Sequence, residues 1–202
     1  MQTVAVVGTG AMGRGIIQWA VGSGSQILAY DQVSGSAEAA RDFVGAMLGR
    51  RVDKGQLTSE ERDAQMSRIH IIDDLTALSS ADIVIEAVIE DVQVKRDLFQ
   101  KFEAIIDPTA LLCTNTSSLS VTEIAFGCEH PERVAGLHFF NPVPLMRVVE
   151  VIRAERTATF AIDKLLDLVK CTDHHPVLCT DSPGFVINNA GRGLNTEGLR
   201  IV

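Results

Sequence analysis

A glycine pattern near the start constrains this chain more than any other feature. Gly8-Thr9-Gly10-Ala11-Met12-Gly13 follows an apolar, β-branched run from Thr3 to Val7 and opens a helical pattern from Ala11 to Val21. A second apolar run, Ile27 to Tyr30, ends in Asp31. Strand, glycine turn, helix, strand and acid within about 30 residues make one βαβ unit of the kind that holds a dinucleotide. Gly8 permits the tight turn, Gly10 removes a side chain where a pyrophosphate must approach the backbone, and Gly13 lets the helix lie close to the strand. The helix start offers free N–H groups and partial positive charge to phosphates. A carboxylate at Asp31 can accept hydrogen bonds from adenosine ribose hydroxyls and would repel a 2′-phosphate, which favours NAD over NADP. FAD uses a similar fingerprint and stays open from this segment alone, as does a structural glycine turn with an exposed acid.

Beyond this unit, helical spacing runs from Ser36 to Val52 and stops at Gly55, and Thr58 with Glu61 forms a capping box for a second helix. Residues 36–66 therefore read as a helical hairpin standing on the sheet. Further strands are predicted at 69–72, 83–86, 111–114, 134–138, 147–152 and 177–179. Helices fall at 75–78, 92–106, 121–126 and 157–169, and Pro183-Gly184 opens another near Phe185. The alternation predicts an α/β fold: a Rossmann-type, doubly wound, mostly parallel sheet with a protruding helical hairpin and an antiparallel strand near the C-terminal edge. Residues 1–188 read as a dinucleotide-binding domain. Residues 189–202 read as the start of a helical C-terminal domain that is cut short, so the natural protein is expected to be longer.

With 202 residues, 46% of them hydrophobic and 22% charged, the chain can bury a full core without disulfides or metals. Its net charge of −8 argues against nucleic acid and anionic membranes as partners and requires a local positive site for any anionic ligand. Cys113, Cys128, Cys171 and Cys179 lie outside CxxC spacing and form no zinc signature with His174 and His175. Reduced thiols, no visible signal peptide and no apolar run of membrane-spanning length together give a cytoplasmic expectation.

His138 and Glu150 are equidistant from Pro144 in sequence. If the strands carrying them form a hairpin around that loop, the two side chains face each other. A histidine held by a carboxylate has a fixed tautomer and accepts a proton more readily, as alcohol oxidation requires. A structural histidine at a strand end is the open alternative.

Five segments carry a resemblance over nearly the whole chain: VAVVGTGAMGRGI at 4–16, DIVIEAVIEDVQVK at 82–95, TNTSSLSVTEIA at 114–125, ERVAGLHFFNPVPLMRVVEVI at 132–152 and DSPGFVIN at 181–188. In these motifs and their order the chain resembles the L-3-hydroxyacyl-CoA dehydrogenase family, in particular bacterial members acting on 3-hydroxybutyryl-CoA or 3-hydroxyadipyl-CoA. The resemblance implies NAD-dependent oxidation of an L-3-hydroxyacyl-CoA to the 3-oxoacyl-CoA. It makes His138 the catalytic base, Glu150 its partner, Ser117 a hydrogen-bond donor to the reacting oxygen, and Asn188 a residue beside the substrate. It places Met12, Glu90, Lys95 and Asn115 with Gly8, Gly10, Gly13 and Asp31 in the cofactor site; read without it, Glu90 and Lys95 are a helix-start pair with a solvated lysine. It makes Lys54 a coenzyme A contact, with Arg50 and Arg51 beside it, although those two also fit an ordinary solvated helix face. The chain departs from the family at Met47, where members have a serine, and at the C-terminal helical domain through which members form homodimers. Two further readings are a non-catalytic NAD-binding module, or a cofactor half inactive by itself, and a dehydrogenase of a smaller hydroxy acid.

Overall fold

The computed structural model describes residues 2–201, apart from the side chains of Leu194, Asn195 and Glu197. Its strands are β1 (Thr3–Val7), β2 (Gln26–Tyr30), β3 (Ile69–Ile71), β4 (Ile83–Glu86), β5 (Leu111–Thr114), β6 (Val134–Phe139), β7 (Val148–Arg153) and β8 (His175–Thr180). The helices are α1 (Ala11–Gly22), α2 (Ser36–Asp53), α3 (Ser59–Met66), α4 (Val92–Glu103), α5 (Val121–Ile124), α6 (Thr159–Lys170) and α7 (Ile187–Ile201).

The strands form one sheet in the order β3-β2-β1-β4-β5-β6-β7-β8. Neighbours are parallel except β6 and β7. The expected doubly wound sheet is therefore present, and the reversal at its edge involves two strands, because β8 runs parallel to β7. The central strands are covered on both faces, which is why they read as continuous apolar runs rather than alternating ones. Val4 and Val6 of β1 join one core with Ile16, Ile17 and Ala20 of α1 and Ile162 and Leu165 of α6. Ala5 and Val7 point the other way, into a core with Phe99 and Phe102 of α4 and Ile124 of α5.

Local chemistry explains the element boundaries. The capping box of α3 is formed: Glu61 N donates to Thr58 Oγ1 at 3.1 Å and Thr58 N to Glu61 Oε2 at 2.8 Å. Helix α6 begins two residues after the expected Thr157. The Thr157 hydroxyl donates to Val134 O at 2.6 Å and accepts from Ala154 N, stitching the turn to β6 instead of opening the helix. Strand β8 includes Pro176, which an edge strand tolerates because one side of its ladder is unpaired. Helix α7 starts two residues after Phe185 because Gly184 and Phe185 hold φ of +79° and +50°, incompatible with a right-handed helix. It then runs unbroken past residue 188, with Leu199 and Ile201 largely exposed. Among the described residues no helix is long and apolar enough to cross a membrane.

The three glycines of the first turn meet different surroundings. A Cβ on Gly13 would lie 1.9 Å from Gly8 O, whereas one on Gly10 would meet nothing within 4 Å. Gly13→Ala must push α1 away from β1. We expect it to cost at least about 2 kcal/mol, roughly 5 °C in Tm, while Gly10→Ala stays within about 2 °C of the parent. Thermal melts followed by circular dichroism test this, and equal melting of the two variants would refute it.

Candidate active site

The glycine turn sits at the C-terminal ends of β1 and β2. Gly8 takes φ of +90° and donates to Tyr30 O at 2.9 Å. Asp31 Oδ2 accepts from Thr9 N at 2.7 Å and Thr9 Oγ1 at 3.0 Å, and Oδ1 accepts from Val33 N at 2.9 Å. Asp31 thus clamps the loop: both acceptor sites of Oδ2 are taken, and Oδ1 keeps a lone pair for a ribose hydroxyl. The N-cap of α1 is Gly10, with no side chain capping the helix. Uncapped N–H groups, open space at Gly10 and a strand-end carboxylate together fit a dinucleotide pyrophosphate and adenosine ribose. Met12, half-buried, packs against the core below.

Across β1 from Asp31 lie the ends of β4 and β5. The side chain of Lys95 is 1% exposed, so the solvated-lysine reading is wrong. Its Nζ lies 2.6 Å from Glu86 Oε1 and 3.4 Å from Glu90 Oε2. Glu90 Oε1 accepts from Thr116 Oγ1 at 2.7 Å, Ser117 N at 2.8 Å and Ser117 Oγ at 3.3 Å. Burial alone would raise the Glu90 pKa. The bonds from Thr116 and Ser117 together with Lys95 outweigh burial and hold the carboxyl below its ordinary value. Asn115 Oδ1 accepts from Phe139 N at 2.9 Å, tying the loop after β5 to the end of β6.

The hairpin expectation for His138 and Glu150 holds. The two are directly opposed in the antiparallel β6–β7 register, and Nδ1 lies 2.7 Å from Glu150 Oε2. A carboxylate only accepts, so Nδ1 carries a proton, and in the neutral ring the lone pair is on Nε2. The ring packs against Phe140 and Phe185, with centroids at 4.4 and 5.7 Å. Glu150 is fully buried, and its second oxygen accepts from Val186 N at 2.9 Å and Ile187 N at 2.8 Å. Burial first, and then this carboxylate 3.8 Å away, push the Cys179 thiol up to about 11. Asn188, one residue into α7, donates through Nδ2 to Ser117 O at 3.1 Å. Glu90, Lys95, Ser117, Asn115, His138, Glu150 and Asn188 are therefore one connected set.

Lys54 stands apart from that set, at the end of α2. It borders a cleft of about 870 Å³ between the α1–α2 pair and the loop 141–147. Arg14, Met47, Arg50, Arg51 and Arg147 share its walls, so Arg50 and Arg51 face a cleft and not simply bulk water. The Arg14 guanidinium lies over the Phe43 ring, 4.1 Å from its centroid.

Glu86, Asp181 and Arg14 were not singled out from sequence. Glu86 had a visible signal, an acid closing the apolar run Ile83-Val84-Ile85. Asp181 had none: it accepts from Ser120 Oγ, Val121 N and Thr122 N, capping α5 from 60 residues away. Arg14 becomes visible only when α2 is placed beside α1.

Residues 3–182 match the family model for the NAD-binding domain of 3-hydroxyacyl-CoA dehydrogenase. The chain is 42% identical over 200 residues to 3-hydroxyadipyl-CoA dehydrogenase of Escherichia coli (strain K12), covering 99% of this chain and 42% of that protein. It is 35% identical to 3-hydroxybutyryl-CoA dehydrogenase of Clostridioides difficile, covering 97% of this chain and 72% of that one. A crystal structure of 3-hydroxybutyryl-CoA dehydrogenase from Escherichia coli K12 superposes with a TM-score of 0.96 at 43% identity, over 98% of this chain and 42% of that one.

Asp181 supplies an acid-sensitive tie between the Ser117 loop and the segment leading to α7. Burial raises its pKa, but bonds from Thr122, Ser120 and Val121 outweigh it and leave it below the ordinary value of 3.8. A depressed carboxyl stabilises the fold fully above its unfolded value, and that contribution is lost as pH falls through the folded one. Asp181→Ala should cost about 1 kcal/mol at pH 7, as for other lost helix caps, with the gap shrinking toward pH 3. Urea midpoints at both pH values test this; a gap that widens in acid would refute it.

Proposed function

Because this chain belongs to the 3-hydroxyacyl-CoA dehydrogenase family, we propose that the protein oxidises the 3-hydroxyl of an L-3-hydroxyacyl-CoA to a 3-oxoacyl-CoA. NAD, when bound across the glycine turn and the ends of β4 and β5, would accept the hydride from C3. The observation that carries the reading is the buried His138–Glu150 pair at 2.7 Å.

With Nδ1 committed to Glu150, the Nε2 lone pair is the group available to take the hydroxyl proton. Glu150 then stabilises the imidazolium by charge, and its second oxygen, held by two backbone N–H groups, keeps the carboxylate from turning away. We assign Ser117 and Asn188 to the reacting oxygen. Their mutual bond and the Glu90 contact place both at the edge of one loop, and the Ser117 hydroxyl has only a long 3.3 Å bond to give up. In the reverse direction His138 returns the proton.

The cleft suits the nucleotide end of coenzyme A. In a chain with net charge −8, Arg14, Arg50, Arg51 and Lys54 gather on one wall, where phosphates can be met. We read α7, with Leu199 and Ile201 exposed, as the first helix of a larger helical region through which two copies pair. A cytoplasmic setting suits the four free thiols.

The test is NADH formation at 340 nm from L-3-hydroxybutyryl-CoA and 3-hydroxyadipyl-CoA, in this chain and in the natural full-length protein. His138→Gln should lower kcat by at least about 100-fold with NADH affinity within about twofold. Lys54→Glu should raise KM for the CoA thioester about tenfold and leave turnover of an N-acetylcysteamine thioester unchanged. NADH binding without turnover in either form would favour a non-catalytic binding module instead.

A further inference from the structure

Glu86 is fully buried at the end of β4 and belongs to neither the glycine turn nor the dyad. Burying a carboxylate beside three aliphatic residues is costly unless it is paired and hydrogen-bonded. Every oxygen is matched here: Oε1 accepts from Val88 N at 2.7 Å and Lys95 Nζ at 2.6 Å, and Oε2 accepts from Thr114 Oγ1 at 2.7 Å. For stability alone such a pair is commonly replaceable by apolar side chains without loss. Its reach is more informative. Lys95 goes on to Glu90, and Glu90 goes on to Thr116 and Ser117. A continuous polar chain thus runs from the sheet interior to the loop beside the dyad.

Position in the sheet says which half of the ligand this chain serves. Strand β1 lies between β2, which carries Asp31 at its end, and β4, which carries Glu86. A dinucleotide lying across β1 with its adenosine over β2 puts its other half over β4. We propose that Glu86 is a positioning residue for the nicotinamide half of the cofactor: it anchors Lys95, so that Lys95 on one oxygen and the Ser117 loop on the other hold Glu90 in place. This rests on the reading of the chain as an NAD-dependent enzyme. Without Glu86, the lysine would be left with Glu90 alone and would draw it off the Ser117 loop; without Lys95 as well, Glu90 would lose the hold on its second oxygen and keep only the Thr116 and Ser117 loop.

The experiment compares Glu86→Gln and the charge-neutral double variant Glu86→Gln/Lys95→Met with the parent chain. NADH binding is followed by nicotinamide fluorescence, ADP binding by calorimetry and folding by thermal melts. A positioning role predicts NADH affinity weakened about tenfold in both variants, with ADP affinity within about twofold, because ADP reads only the Asp31 side. The double variant, free of an unpaired buried charge, should melt close to the parent and still bind NADH weakly. Parent-like NADH affinity in the folded double variant would overturn the proposal, as would equal loss for NADH and ADP. If the parent itself binds neither ligand, the NAD reading falls and this inference falls with it, an outcome distinct from a parent that binds and variants that do not differ.

Discussion

The hydrogen bonds to the Glu150 carboxylate are the interactions on which the His138 end of this molecule depends. It is buried without solvent, so its charge must be met by donors from the protein. Those donors come from three elements: His138 on β6, Cys179 on β8, and the backbone at 186 and 187 where α7 begins. One buried charge therefore fixes the tautomer of the histidine and the entry of the helix that carries Asn188. The sheet reverses direction to allow this. In an uninterrupted parallel sheet β7 would not form the antiparallel ladder with β6 that sets residues 138 and 150 directly opposite.

A second buried acid organises the neighbouring edge of the site. Glu86, Lys95 and Glu90 form a polar chain beneath the Ser117 loop, and Asp181 caps the short helix that follows that loop. Glu86 closes β4 and His138 stands one residue from the end of β6, with Glu150 brought opposite it by the antiparallel β7. Polar groups buried in such numbers give a rigid geometry when all are matched, and here the carboxylates are matched. Apolar strands below them supply the fixed floor.

Electrostatics distinguishes two concave regions on one acidic molecule. The dinucleotide turn uses backbone N–H groups and a carboxylate, with no cationic side chain needed. The cleft beside it gathers arginines and a lysine from α1, α2 and the loop 141–147. Arg14, Arg50, Arg51 and Lys54 there concentrate charge opposite in sign to the net charge of −8.

What the sequence determined by itself was whatever depends on neighbours along the chain. The glycine turn, the strand runs and the capping box of α3 were legible because backbone conformation and helix capping act within a few residues. The fold class followed from the alternation of those runs. The His138–Glu150 pair was legible as a possibility, from equal spacing about Pro144, and resemblance to a family raised it further. Tertiary structure alone decided the rest. It buried Lys95, which local spacing would have left in water, because Glu86 lies nine residues earlier on a strand that the helix packs against. It brought Asp181 to α5, and the start of α7 to Glu150, across sequence separations that no periodicity encodes. The physical reason is the same in each case. A buried charge is stable only where donors from distant segments converge, and that convergence is a property of the packed sheet rather than of any segment within it.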